Sequence, residues 1–344
     1  MKKTVAVIFG GEGAERHISE LSAACLIKDL ADSFNTLPVG IDEDGCWYIF
    51  SGSPEMIKSS EWNSAHDLLT PTYPVRISGK SGFYREGELL PVDVAFPVLH
   101  GDFGEDGIVQ GALKCAHISY IGSDVIPSAI TADKVYTKIV AEHLGITTAP
   151  WIVPSANARA ARREAETKLG YPMFIKPRRL GSSVGASSAS CPAEFIRAYS
   201  EAYEASDGLL MIEGRVDIKC ELEFALYGGK ERFISGAGSI NTSGEEYSYE
   251  KKYASSDSYT EISPKIDSRI IRRARTWSRK LSDFLGLGNI SRIDFFLTNN
   301  GELIFNEINS IPGMTQTSLY PALVRAVLGK SSFPGDLINS GKWQ

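Results

Sequence analysis

Residues 4–9 (TVAVIF) form an apolar run that ends at Gly10-Gly11. Over about 14–30, Ile18, Leu21, Ala24, Cys25 and Leu26 recur near helical spacing. An apolar run closed by glycine predicts a buried strand, and the 3.6-residue repeat after it predicts an amphipathic helix. Strand, glycine turn and helix open an α/β unit. Residues 92–99 (VDVAFPVL) predict a second strand ending at His100-Gly101, 107–116 a helix, and 118–121 a short strand closed by Gly122. This is the pattern of a doubly wound N-terminal α/β domain over 1–122.

Farther along, Thr131 reads as the N-cap of a helix, with Asp133 in its first turn and Gly145 past its end. Strands are expected at 151–153, 171–176 and 209–213, and helices at about 157–169 and 192–204. Between them, 181–190 (GSSVGASSAS) is small and polar throughout. These make a central unit over 123–213. In the last unit, 214–344, strands alternate with one long helix at about 267–285. Residues 241–263 are rich in Ser, Tyr and charge and lack a core-facing period, so they read as a long loop. Long loops in compact domains commonly act as lids or binding loops.

Composition narrows the partners. The 344 residues suggest two or three domains. Lys and Arg total 36 against 42 Asp and Glu, a formal net charge of −6, which argues against nucleic-acid binding. Cys25, Cys46, Cys115, Cys191 and Cys220 are dispersed, as expected of reduced thiols in the cytoplasm. No Cys or His pair has zinc-site spacing. Lys2-Lys3 imitates the start of a signal peptide, but the apolar run behind it is too short. No stretch is long and apolar enough to span a bilayer. The expectation is a soluble cytoplasmic protein with neither nucleic acid nor membrane as partner.

Candidate chemistry is densest in 291–309 (SRIDFFLTNNGELIFNEIN), where two apolar-rich runs flank Asn300-Gly301. Asn-Gly is the strongest two-residue hairpin signal. With that turn, Asn299 faces Glu302, Asp294 faces Glu307 and Arg292 faces Asn309. Alternation then puts Arg292, Asp294, Glu307 and Asn309 on one face and Ile293, Phe295 and Ile308 on the other. Two carboxylates opposed across a ladder repel unless a cation lies between them. Asp, Glu and Asn oxygens suit Mg²⁺, which completes its shell with water and phosphate oxygens. The bland alternative is a solvated face of an edge hairpin.

Lys176 ends a strand and precedes Gly181-Ser-Ser-Val-Gly185, a small-residue loop whose N–H groups can wrap a phosphate chain. A Walker A loop is excluded, because the leading Gly is replaced by Pro74 or Val324 ahead of the two Gly-Lys-Ser triplets. A dinucleotide fingerprint at Gly11-Glu12-Gly13 fails at Arg16. A hydrolase elbow at 181–185 lacks the strand leading straight into its serine. Glu15 and His100 both sit at the carboxyl ends of expected strands, the rim where open α/β sheets bind ligands. For Glu15, stabilisation of a helix N-terminus is an equally simple account.

Taken together, FGGEGAERHIS (9–19), LHGDFGEDGIVQG (99–111), ADK (132–134), IKPRRLGSSVG (175–185), YEKKY (249–253), SRIDFF (291–296) and NEINSIPGMTQTSLYP (306–321) resemble the D-alanine–D-alanine ligases of the ATP-grasp superfamily, in order and over essentially the whole chain. The resemblance implies an ATP-grasp fold: the N-terminal α/β domain followed by two α+β domains that clamp ATP, with 241–263 as a lid. It implies ATP-dependent joining of two D-alanines through an acyl phosphate for peptidoglycan precursors, or, as the alternative, joining of D-alanine to D-serine. It assigns Lys134, Lys176 and Ser183 to the phosphates, Glu213 and Glu221 to the adenine side and ribose, and Phe296 and Asn306 to the nucleotide. Lys252 approaches the γ-phosphate and substrate from the lid. Asp294, Glu307 and Asn309 would hold two Mg²⁺, replaceable by Mn²⁺. Glu15 would receive the first ammonium, with Ser182 and Tyr253 hydrogen-bonded to it, while Arg292 and the Gly313 N–H face the carboxylate. His100, Ser318 and Leu319 belong to the substrate sites, and a homodimer is implied. Two departures stand out: Gly214-Arg215-Val216 lacks the aromatic that some relatives place on the adenine, and Arg178-Arg179-Leu180 replaces a more acidic or polar stretch.

Overall fold

The structure is a computed structural model describing residues 2–155, 157–181, 183–228, 231–241, 259–328, 333–341 and 343–344. The N-terminal part runs β1 (Thr4–Gly10), α1 (Arg16–Leu30), β2 (Asn35–Ile41), β3 (Trp47–Phe50), α2 (Pro54–Lys58), β4 (Leu69–Pro71), β5 (Tyr73–Ile77), β6 (Lys80–Arg85), β7 (Glu88–Pro91), β8 (Val94–Pro97) and α3 (Ile108–Cys115). Its main sheet has the order β4-β3-β2-β1-β8, with β2 and β8 parallel to β1. β1 is apolar on both faces because both are covered. Val5, Val7 and Phe9 share a core with Ala23, Leu26 and Leu30 of α1. Ala6 and Ile8 share another with Val109 and Leu113 of α3. The short strand expected at 118–121 reduces to one parallel bridge between Ala95 and Tyr120.

Two helices follow where one was expected, α4 (Val125–Ala132) and α5 (Lys134–His143). The Asp133 carboxylate accepts from the Val135 N–H and caps α5. Thr131 lies inside α4, its hydroxyl bonded back to the Pro127 and Ser128 carbonyls. The cap expected at Thr131 therefore belongs to Asp133, whose extended backbone breaks the helix.

An antiparallel sheet comes next, built from β9 (Trp151–Ile152), β10 (Met173–Pro177), β11 (Ser187–Ala189) and β12 (Leu210–Gly214) in the order β11-β10-β12-β9. With α6 (Ala158–Lys168) and α7 (Pro192–Ala205) it encloses its own core, including Met173, Ile175, Phe195 and Ile212. The last sheet holds β13 (Ile218–Tyr227), β14 (Phe233–Ile234), β15 (Gly238–Asn241), β16 (Tyr259–Ile262), β17 (Ile290–Thr298) and β18 (Leu303–Asn309). Its order is β16-β15-β13-β17-β18, with β14 also on β13. α8 (Ser268–Leu285), α9 (Leu319–Leu328) and α10 (Gly335–Asn339) complete the chain. Part of the expected loop at 241–263 is thus ladder, since β16 pairs with β15. Residues 242–258 lie outside the described residues.

Two cores cross these boundaries. Ala141 and Ile146, from α5 and the turn after it, pack with Leu222, Phe224, Ile293 and Phe305 of the last sheet. The cluster holding Val5, Val7 and Phe9 also contains Ala225, Tyr227, Tyr320, Leu337 and Ile338. Lys3 Nζ donates to the Ile338 carbonyl at 3.0 Å, and the Gln344 N–H to the Tyr120 carbonyl at 3.0 Å.

Candidate active site

The site begins with the β17–β18 hairpin. Its turn differs from the two-residue form: Thr298 donates to the Glu302 carbonyl at 2.9 Å, and Gly301 closes the loop with a left-handed φ of 85°. Near the turn, Leu297 therefore faces Leu303 and Phe295 faces Phe305. A β-bulge then adds Asn306 to β18, so that Asp294 faces Glu307 and Arg292 faces Asn309. Without the bulge, Glu307 would face Ile293 and turn toward the core. The expected pairing of the four polar residues holds, but through a longer turn and a compensating bulge.

On that face, Arg292 grips Asp294 with its planar fork, Nε–Oδ1 at 2.9 Å and Nη2–Oδ2 at 2.7 Å. Its Nε also lies 3.3 Å from Glu223 Oε2. Burial opposes the guanidinium's charge, but Asp294 and Glu223 outweigh it and hold its pKa well above the ordinary value. Asn309 Nδ2 donates to Asp294 Oδ2 at 2.9 Å, committing the amide nitrogen and leaving the amide oxygen as a donor atom for another group.

Beside this cluster opens a cleft lined by Glu15, Gly101, Glu105, Lys134, Arg179, Gly181, Glu307 and Asn309, among others. Lys134 begins α5; its Nζ lies 3.6 Å from Glu307 Oε2 and donates to the Leu180 carbonyl at 2.8 Å. Glu15 stands at the N-cap position of α1 but makes no side-chain capping bond. Its carboxylate instead reaches toward Gly101 and Gly181, where an added Cβ would lie 2.6 Å from a carboxylate oxygen. Glycine at those two positions admits the carboxylate between the N-terminal unit and the Gly/Ser loop, which favours a binding role over helix stabilisation.

Arg178 and Arg179 have a local purpose. Arg178 bonds Asp133 through Nε at 3.1 Å and Nη2 at 2.8 Å, and Arg179 Nε adds a contact at 3.3 Å. The Lys134 N–H donates to the Arg178 carbonyl at 3.0 Å. The start of the Gly/Ser loop is thereby tied to the N-terminus of α5.

Residues 4–123 match the family model described as "D-ala D-ala ligase N-terminus", and residues 140–331 match "D-ala D-ala ligase C-terminus". The chain belongs to the D-alanine–D-alanine ligase family. It is 34% identical over 333 residues to a D-alanine–D-alanine ligase of Clostridium novyi (strain NT), covering 95% of this chain and 94% of that one. Among solved structures it is similar to the VanG D-Ala:D-Ser ligase from Enterococcus faecalis, with TM-score 0.85, 32% identity and 96% of each chain covered. It is also similar to the D-alanine–D-alanine ligase from Coxiella burnetii, with TM-score 0.81, 26% identity and 94% and 89% of the two chains covered. The fold is the ATP-grasp fold of that family.

For this member of the D-alanine–D-alanine ligase family, the expected site residues fall in several places. Glu15, Lys134, Glu307 and Asn309 share the cleft. Lys176 Nζ lies 2.6 Å from Glu213 Oε2, and the other Glu213 oxygen lies 2.6 Å from Lys138, a residue not singled out in the sequence. Burial pushes the Glu213 carboxyl up, yet Lys176 and Lys138 together bring it below its ordinary value. Glu221 faces Phe296 across β13 and β17, both half-buried. Ser183 is exposed, with a left-handed φ of 60°. Ser318 Oγ lies 2.7 Å from Thr315 Oγ1 and also packs against Gly313. Leu319 is buried in the core with Tyr320 and Leu323 rather than along the cleft. Ser182, Lys252 and Tyr253 lie outside the described residues.

His100 is buried and serves the segment after β18. Its Nδ1 donates to the Ile311 carbonyl at 3.0 Å, and Nε2 accepts from Ser22 Oγ at 3.3 Å. Ser22 Oγ also accepts from the Met314 N–H at 3.2 Å. Burial holds the imidazole below its usual pKa, in keeping with a neutral ring. Glu105, also not singled out, accepts from the Ile311 N–H at 2.9 Å and the Gly101 N–H at 3.1 Å. These contacts brace the segment that carries Gly313.

Burial, followed by the charge of Glu15, pushes the Glu105 carboxyl up to about 7. A carboxyl raised on folding is held protonated by the folded chain while the unfolded chain has already released its proton. Its contribution is therefore fully present below the ordinary value of 4.5 and lost as pH rises through about 7. Without nucleotide, stability should fall with rising pH across that window. Glu105→Gln should flatten this part of a melting-temperature profile; an unchanged slope would assign the dependence to another group.

Proposed function

We propose that the chain joins two D-alanines into D-alanyl-D-alanine, converting ATP to ADP and phosphate. The observation that carries this reading is the convergence, in one cleft, of Glu15, Lys134, Glu307 and Asn309 beside the Arg292–Asp294 pair. Glu15 offers a negative charge to the ammonium of the first D-alanine. A carboxylate oxygen of that substrate attacks the γ-phosphorus of ATP, ADP departs, and an acyl phosphate results. Phosphoryl transfer depends mainly on alignment and charge neutralisation, which Lys134 and Lys176 would supply. The neutral amine of the second D-alanine then attacks the acyl carbon. Arg292 and the Gly313 N–H stabilise the oxyanion, a kind of interaction worth roughly 3 kcal/mol per donor. Phosphate leaves, and the amine proton passes to solvent or to the departing phosphate.

The donor set fits Mg²⁺. Glu307 and Asp294 are hard oxygen donors, and Asn309 has its nitrogen occupied and its oxygen left over. Among the described residues no group of three or more His, Cys, Asp or Glu is arranged to hold a metal ion, so the amide completes this set. Bound there, Mg²⁺, or Mn²⁺ in its place, would neutralise charge on the phosphates.

The reading extends to a division at 1–122, 123–213 and 214–344, a lid within 241–263, a homodimer, and a cytoplasmic role in peptidoglycan precursor synthesis. No helix among the described residues is long and apolar enough to cross a membrane.

The test is phosphate release from ATP with a panel of D-amino acids and D-lactate, with products separated. D-Alanyl-D-alanine should dominate, with negligible D-lactate incorporation near neutral pH. D-Serine is the second reading, favoured by the similarity to the VanG D-Ala:D-Ser ligase. An apolar pocket rejects an added hydroxyl by only about 10²-fold. If D-Ala-D-Ser dominates at equal D-alanine and D-serine, the second reading replaces the first.

A further inference from the structure

Lys138 is fully buried on α5, one turn beyond Lys134. Its Nζ lies 2.6 Å from Glu213 Oε1, and Lys176 Nζ lies 2.6 Å from Glu213 Oε2. Glu213 is buried too, and Lys176 nearly so. The three groups come from three elements, α5, β12 and β10. We infer that Lys138 is a positioning residue for nucleotide binding, acting through Glu213 on the ammonium of Lys176.

Charge balance carries the argument. Glu213 alone would neutralise Lys176, leaving a dipole with little attraction for a polyphosphate. A second lysine on the same carboxylate leaves the group with a net charge of plus one. Burial makes that difference large, because charges in a low-dielectric interior are weakly screened. Geometry adds to it. A carboxylate held on both oxygens cannot swing, so the Lys176 ammonium is held in one place. Burial is the larger effect and lowers the Lys138 pKa from its ordinary value, with Lys176 adding to it, while the adjoining Glu213 carboxylate works the other way. α5 thereby reaches both sheets, through Lys134 to Glu307 on β18 and through Lys138 to Glu213 on β12.

This inference rests on the proposal that Lys176 faces the phosphates of ATP. The experiment measures ADP and adenosine binding by calorimetry, in the presence of Mg²⁺, on the full chain. Lys138→Met keeps the stem and removes the charge. It should weaken ADP at least about tenfold and leave adenosine unchanged, because only the phosphates sense the lost charge. Lys138→Arg keeps a positive charge against Glu213 and should retain most of the ADP affinity. If Lys138→Met does not fold, Lys138→Gln, which removes the charge but can still donate to Glu213, decides instead: a loss of ADP affinity of about tenfold with adenosine unchanged supports the inference, and unchanged ADP affinity overturns it. Unchanged ADP affinity in a folded Lys138→Met variant overturns it as well, as does a parallel loss of adenosine affinity. A wild-type chain that binds no ADP would instead overturn the ATP-dependent reading itself.

Discussion

Replacing Glu307 by Gln is expected to lower turnover by on the order of 10³-fold, the scale associated with removing a group that stabilises transition-state charge. The substitution keeps volume and one oxygen while removing the charge that faces Asp294 across the ladder and Lys134 at 3.6 Å. Folding should survive. Asp294 is already held by Arg292 and Asn309, and losing the opposing carboxylate relieves cross-strand repulsion as Lys134 loses an ion pair. The melting temperature should therefore stay near wild type while activity disappears. Near-normal turnover at ordinary Mg²⁺ would remove the hairpin face from the catalytic machinery.

Arg292→Lys is the second large effect. Lysine keeps the positive charge but not the fork that holds Asp294 at 2.7 and 2.9 Å while touching Glu223. Turnover should fall roughly 10²–10³-fold through loss of an oxyanion donor. ATP affinity should change little, because Lys134 and Lys176 are untouched. Steady-state kinetics with a parallel melting curve separate the roles. Intact turnover with a lowered melting temperature would make Arg292 a brace for Asp294 and nothing more.

Much of this site was readable in the residues. Alternation along 291–309 put Arg292, Asp294, Glu307 and Asn309 on one face, as the ladder does. It did so through two compensating departures, since neither the three-residue turn nor the bulge at Asn306 has a signature in a single sequence. The carboxyl-end rim singled out Glu15, and Glu15 lies in the lining of the cleft. His100 was singled out by the same rule, but it acts on the Ile311 backbone from a buried position. Glu105 and Lys138 went unnoticed for one reason: their partners are distant in sequence, a backbone N–H at Ile311 and a carboxylate at Glu213. Local periodicity cannot report such pairs. Thr131 was read as the cap and Asp133 as a first-turn residue, and only the break between α4 and α5 shows that Asp133 is the cap.

The core that joins β1 to α9 and α10 constrains the order in which these parts can close during synthesis. Val5, Val7 and Phe9 are made more than 300 residues ahead of Tyr320, Leu337 and Ile338, with which they share a cluster. The Lys3–Ile338 hydrogen bond spans 335 residues. Sheet pairing of β1 with β2 and β8 can form early, because those partners lie within the first hundred residues. Sealing the core must wait until residues 320–338 leave the ribosome, and until then the edge of the N-terminal unit stays open to solvent and to other nascent chains. The antiparallel sheet of β9 to β12, which owns all the residues of its core, carries no such delay. The sheet made later can therefore close before the N-terminal unit made ahead of it.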